Sequence, residues 1–140
     1  MDAIADGTGR KLVVLDRAEC LRLLATVPVG RLIFTVGALP TVRMMNFVMT
    51  GEVIVLRTAA DTTTARKAAG SVVAFEADQV DLAARSGWSV TVTGWAMLVT
   101  DPQAITSYSA LPLVPWAPGE RDQFVTIKTE VVYGRRVLAA

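Results

Sequence analysis

The sequence predicts a mainly β protein, a closed barrel of about six mostly antiparallel strands with short helices at the connections. Three observations carry this reading. Short runs rich in β-branched residues recur, as at Arg31–Val36 (RLIFTV), Ser71–Glu76 (SVVAFE) and Ser89–Thr100 (SVTVTGWAMLVT). Tight turns separate the earliest of these runs, which favours antiparallel neighbours. Neither GxGxxG nor GxxxxGK[ST] occurs, so nothing marks a doubly wound parallel sheet. A chain of 140 residues makes one domain with room for a real core.

Taken in order, Met1–Arg10 reads as a frayed tail, leaving 11–140 as the single domain. Leu12–Leu15 is a short strand or a lead into the first helix. Asp16 with Glu19 three residues on has the outline of a capping box, and the helix runs to about Thr26 before Pro28. Cys20 lies inside it as a small buried hydrophobe. Gly30–Val36 is a strand, turned at Gly37–Pro40 into Thr41–Met49, which turns again at Thr50–Glu52 into Val53–Thr58. Thr41–Met49 carries bulky apolar groups on both faces, which predicts cover on both sides. Arg43 and Asn46 are its polar exceptions and need partners. A short helix is expected over Thr62–Ala69, capped by Gly70. Ser71–Glu76 is a strand, and the acidic stretch Ala77–Gly87 reads as a loop. In the long strand Ser89–Thr100, Gly94 interrupts the alternation and predicts a bulge or bend where a barrel closes. Asp101-Pro102 starts a helix to about Ser109. Leu111–Gly119 holds three of the six prolines and is an ordered loop. Gln123–Thr129 and Val131–Val137 are one bent strand or two.

Composition narrows the function. Hydrophobic residues make up 52% with a mean hydropathy of +0.44, yet no apolar run reaches the roughly 18–20 residues of a membrane helix. The surplus apolar surface points to a subunit interface, with a homodimer as the simplest closed form, the alternative being an unusually apolar monomer. A net charge of +1 argues against general nucleic-acid binding. A single cysteine excludes an intrachain disulfide and a CxxC metal pair. The absence of histidine removes the usual zinc sites, the Ser-His-Asp triad and the commonest general acid–base group. Hard chemistry in such a chain belongs to a bound cofactor. The N-terminus lacks the basic-then-apolar order of a signal peptide, and the cysteine usage fits a reducing cytoplasm.

The richest stretch chemically is Thr41–Lys67. Beyond its strand pair, Arg57, Thr58, Thr62, Thr63, Thr64, Arg66 and Lys67 gather hydroxyls, backbone N–H groups and cations at a helix start. Two readings stand open, a small anion site or a capped surface helix with solvated charges. Arg43 needs an anionic ligand or a structural partner such as Glu52 or Glu76. Trp88 and Trp95 read as core or interface anchors. Trp116, between Pro115 and Pro118, reads as an aromatic on a rigid loop, a lid for a flat ligand. Arg135 and Arg136 fall on opposite faces of a strand, as phosphate contacts or as exposed charges.

These pieces together resemble the pyridoxamine 5'-phosphate oxidase-like flavin-binding split barrels, over roughly Asp16–Val137. The carrying segments are Leu23–Val36, Val42–Thr58, Val72–Asp78, Ser86–Asp101 and Pro115–Val137 in that order and spacing. The resemblance implies a six-stranded antiparallel split β-barrel that dimerises with two flavin sites at the interface. It implies that Met44, Met45, Asn46 and Phe47 line the isoalloxazine ring, with Arg43 or Lys128 as the nearby positive charge. Arg57 and Thr58 would lie at the ribityl-phosphate end, and the loop Ala60–Thr64 would cradle the phosphate. Trp116 would approach from the lid or the partner subunit. Two positions depart from the family pattern. Met44 or Met45 stands where a proline is usual, and Thr63 or Thr64 stands where a lysine or arginine is usual, which leaves Lys67 as the cation to reach back. The implied activity is an FMN-dependent oxidoreductase passing electrons from a reduced nicotinamide to a small organic acceptor. Alternatives are a deazaflavin coenzyme in place of FMN, or a flavin or other flat-ligand binder without turnover.

Overall fold

The structure, a computed structural model, describes residues 3–59 and 62–140. Among these residues nine strands form: β1 (Ala3–Ala5), β2 (Lys11–Leu15), β3 (Val29–Val36), β4 (Leu39–Thr50), β5 (Val53–Thr58), β6 (Ser71–Asp81), β7 (Ser86–Leu98), β8 (Gln123–Lys128) and β9 (Val131–Leu138). Two α-helices, α1 (Arg17–Leu24) and α2 (Pro102–Ser109), and one π-helical turn at Thr64–Ala68 fill the connections. Strands β3 to β8 close a six-stranded antiparallel ring, ordered β7-β6-β3-β4-β5-β8 and back to β7. Beyond β7 the sheet continues through β9, β2 and β1 as a flap.

Ring and flap part company along β7. Its first half pairs with β9, from Gly87 against Val137 to Thr93 against Val131. Its last part pairs with β8, Ala96 to Leu98 against Ile127 to Val125. Between the two lies Gly94, where a Cβ would overlap the carbonyl oxygen of Lys128. Only glycine lets the backbones approach so closely. The next N–H, of Trp95, falls in the gap between β9 and β8 and donates instead to Glu130 Oε1 at 3.0 Å. The turn between β8 and β9 is fixed from outside as well. Arg17 Nη2 donates to the Thr129 carbonyl (2.7 Å), and the buried Thr129 hydroxyl donates to the Glu52 carbonyl (2.7 Å).

The core is mainly aliphatic with Phe34, Phe47, Phe75 and Trp88, and Phe47 and Phe75 are set edge to face with centroids 4.8 Å apart. Gly30 makes room for that pair, since a Cβ there would overlap the Phe75 ring. Leu23, Leu24 and Cys20 of α1 join the same core. Asp16 caps α1 by accepting the Glu19 N–H at 2.8 Å, but the Glu19 carboxylate turns to Arg22 (2.6 Å) rather than back to the cap. Burial and the flanking Asp16 and Glu19 push the Cys20 thiol up, away from the reactive thiolate. A second apolar cluster of Val55, Leu113 and Phe124 lies under α2 and the loop that follows it.

Several expectations are corrected. Ala3–Ala5, expected in a frayed tail, pairs with Lys11–Val13 of β2. Ala77–Gly87 is no loop, because β6 runs to Asp81 and β7 starts at Ser86 with a tight turn between. Its acids are compatible with a strand because Ala77 takes the inward position and Asp78 the outward one. Strand β4 is covered on both sides only near Phe47 and Val48; Leu39, Val42 and Met44 are exposed. Of the two readings of the C-terminal segment, the two-strand one holds, since β8 closes the ring and β9 opens the flap. Arg43, among the described residues, has no carboxylate partner: Glu52 pairs with Arg17, and Glu76 with Arg31.

Arg31 sits on the outer face between Glu76 (3.2 Å) and Asp78 (3.3 Å). Desolvation and the neighbouring Asp78 carboxylate raise Glu76 to about 7, against the opposing pull of Arg31. The folded chain therefore keeps a proton on Glu76 that the unfolded chain releases near 4.5, and stability falls as pH rises from about 4.5 to about 7. Glu76→Gln is expected to raise the thermal midpoint at pH 8 and leave it unchanged at pH 4, in parallel melts. Gly94→Ala is expected to lose about 2–3 kcal/mol in denaturant titration, because the methyl has only backbone to displace.

Candidate functional site

The hairpin of β4 and β5 and the two loops beside it enclose a well-formed concavity. Register places Phe47 against Leu56 and Thr50 against Val53, so both strands point their far ends away from the hairpin turn. From there β4 offers Arg43, Met44, Met45 and Asn46, and β5 ends in Arg57 and Thr58. Thr62–Thr64 and Pro115–Ala117 wall the cavity with Val29 and Arg121, and its volume is about 520 Å³.

Hydrogen bonds order the polar side. Thr62 donates its hydroxyl proton to the Ala59 carbonyl (2.8 Å), so in the 2.8 Å contact between Thr58 and Thr62 the buried Thr58 hydroxyl is the donor. Thr62 Oγ1 also accepts the Ala65 N–H at 3.3 Å. These two hydroxyls build the loop. Those of Thr63 and Thr64 have no protein partner among the described residues and face the cavity as spare donors. The π-helical turn after them is tied to the barrel by Gly70, which takes a left-handed backbone (φ +85°) and donates to the Ala96 carbonyl at 2.6 Å.

Arg57 stacks its guanidinium on Phe124 (5.2 Å to the ring centre) and donates Nε to the Arg121 carbonyl at 2.6 Å. Arg121 is thereby held at the cavity, and its own Nε is buried without an acceptor. A buried, unpaired guanidinium nitrogen is costly unless something anionic or polar meets it. On the opposite side Asn46 bridges two segments: Nδ2 donates to the Pro28 carbonyl (3.3 Å) and Oδ1 accepts the Trp116 N–H (2.9 Å). Among the described lining residues are three arginines and no carboxylate. No cluster of histidine, cysteine and acids able to hold a metal occurs among the described residues, and no helix there is long and apolar enough to cross a membrane.

Residues 16–136 match the family model for pyridoxamine 5'-phosphate oxidase. This chain belongs to that family. It is 44% identical over 144 residues to the uncharacterized protein Rv0080 of Mycobacterium tuberculosis, covering 94% of this chain and 90% of that one. Among solved structures it is similar to the FAD binding protein from Mycobacterium smegmatis, with a TM-score of 0.77 and 30% identity over 89% of this chain and 97% of the other. It is also similar to a conserved protein of unknown function from Corynebacterium diphtheriae, with a TM-score of 0.75 and 29% identity over 92% and 98% of the two chains.

In this pyridoxamine 5'-phosphate oxidase-family chain the cavity brings together most of the residues named from sequence; among the described ones Phe47, Lys67, Arg66 and Lys128 stand outside the lining, Lys128 lying opposite Val53 at the hairpin-turn end of β5. Phe47 points into the barrel core, and Lys67 stands on the exposed surface outside the lining. Arg66 is likewise exposed. Ala60 and Asp61 of the expected cradle lie outside the described residues. Sequence reasoning passed over Arg121, Val29, Pro115 and Ala117. Arg121 carried one usable signal: it stands two residues before Gln123, and Gln123 pairs with Thr58. Any register that set β8 beside β5 would have brought Arg121 to the end of β5.

Proposed function

We propose that the cavity holds a flavin nucleotide and that the protein is a flavin-dependent oxidoreductase. The donor set carries this reading. Three guanidinium groups and four threonines surround the space with no described carboxylate against them, a set matched to a phosphate. Arg121, with its buried Nε unpaired, and Arg57 supply the charge that sequence assigned to Lys67. Met44, Met45, Val29 and the exposed Trp116 offer apolar and flat surface to a fused ring system. The similar structure from Mycobacterium smegmatis is an FAD binding protein, which supports a flavin here. The ligand unit assigned is the mononucleotide, as FMN or as the corresponding half of FAD.

A bound flavin supplies two-electron chemistry between a reduced nicotinamide and a small organic acceptor. The chain's own part is to bind, orient and bias. The described lining supplies arginines, threonines and an asparagine, groups that bind and orient a ligand. Arg43 places a positive charge in the lining, which favours the more electron-rich state of a bound ring.

A second copy of the chain completes the reading. Val42, Val72, Trp95, Val131 and Tyr133 are exposed on one outer face, in register across β4, β6, β7 and β9. Met44 belongs to that face and also lines the cavity, and it is 69% exposed. A homodimer seated there would cover the apolar strip and border both flavin sites.

The purified protein is expected to bind FMN or FAD in a fluorescence titration, with Arg121→Ala weakening the complex by about tenfold or more. Failure of the unaltered protein to bind either flavin overturns the assignment. Sedimentation at micromolar concentration is expected to give a dimer, and a monomer would remove the shared interface.

A further inference from the structure

The segment from Leu111 to Asp122 is pinned at both ends. Leu113 is buried with Val55 and Phe124, and the Arg121 carbonyl is clamped by Arg57. Between these anchors Val114 and Trp116 are exposed, the latter at 68%. Pro115 and Pro118 remove two backbone donors and stiffen the span. Among the described residues, Val114–Glu120 is tied at its exposed middle to β4 by the Trp116 N–H donating to Asn46 Oδ1 at 2.9 Å, and near its C-terminal anchor by a longer bond from Arg121 Nη2 to the Pro118 carbonyl at 3.4 Å. Asn46 cannot turn its amide over without harm. Its Nδ2 donates to the Pro28 carbonyl, so the reversed group would set oxygen against oxygen there and N–H against N–H at Trp116.

We propose that Asn46 is the latch of a lid: its side chain holds the Trp116 part of Val114–Glu120 over the cavity, and a bound flavin leaves when the bond from the Trp116 N–H to Asn46 breaks. The identity of the ligand rests on the reading above; the latch does not. Asn46 acts as a positioning residue, placing Trp116 through its backbone while the indole faces the ligand space. Because both ends of the span are anchored, opening is a local swing of seven stiffened residues and leaves the strands in place.

Amide exchange by NMR on the ligand-free protein tests the latch without any cofactor. The Trp116 amide is expected to exchange about tenfold more slowly than the unbonded Ala117 amide, and Asn46→Ala is expected to abolish that difference. Trp116→Ala should keep the protection of amide 116 because the backbone bond survives. Release of FMN, followed by recovery of its fluorescence, should quicken about tenfold in Asn46→Ala. It should also quicken in Trp116→Ala, where only the indole cover is lost. An unprotected Trp116 amide in the unaltered protein, or exchange unmoved by Asn46→Ala, overturns the latch. Faster exchange with unchanged FMN release overturns the lid. If neither FMN nor FAD binds, the flavin reading falls and the exchange data still decide the latch. If Asn46→Ala fails to fold, the comparison of amides 116 and 117 in the unaltered protein and in Trp116→Ala decides it.

Discussion

The whole molecule depends on one strand having two partners on the same edge. Strand β7 can leave β9 and take up β8 only if the turn between those two strands passes close over it, and Gly94 is where it passes. A side chain there would push Lys128 away and open the ring. Backbone pairing lost at the crossing is replaced by the Glu130 carboxylate on the Trp95 N–H, so the gap leaves no orphaned donor at that point. Arg17 from α1 and Glu52 from the turn between β4 and β5, both distant from it in sequence, then hold the turn at Thr129.

The site follows from that closure. Once β8 belongs to the ring it must lie beside β5, and the chain entering β8 must pass the end of β5. That puts Arg121 next to Arg57 and swings the proline-rich span across the cavity toward Asn46. The cavity is therefore assembled from residues far apart in sequence, and its three guanidinium groups converge without a described acid to neutralise them.

Elements set by local chemistry were legible in the sequence. The strand pair Val42–Thr58, the Asp101-Pro102 helix start, the Asp16 cap and the special role of Gly94 all follow from residues within a few positions of one another. So did most of the candidate site, because Arg43–Asn46 and Arg57–Thr64 lie on one hairpin and the loop after it. Harder to see was what depends on partners. Ala77–Gly87 looks polar enough for a loop, and only pairing with β7 and β9 makes it sheet. Lys67 lies one turn beyond the threonines, but the turn is π-helical and leaves it facing outward. Arg121 was hidden for the same reason in reverse, since its place is set by a register 64 residues away in the chain.

The division of β7 also means that a single strand spans two regimes of cohesion. Its outer half is bonded to a flap that ends in the three-residue strand β1, and its inner half to a ring with no free edge. Fluctuations that peel the flap reach Thr93 and stop, because beyond Gly94 the next neighbour is held by the barrel itself. The strands that line the cavity, β3, β4 and β5, pair only within the ring and share no ladder with the flap.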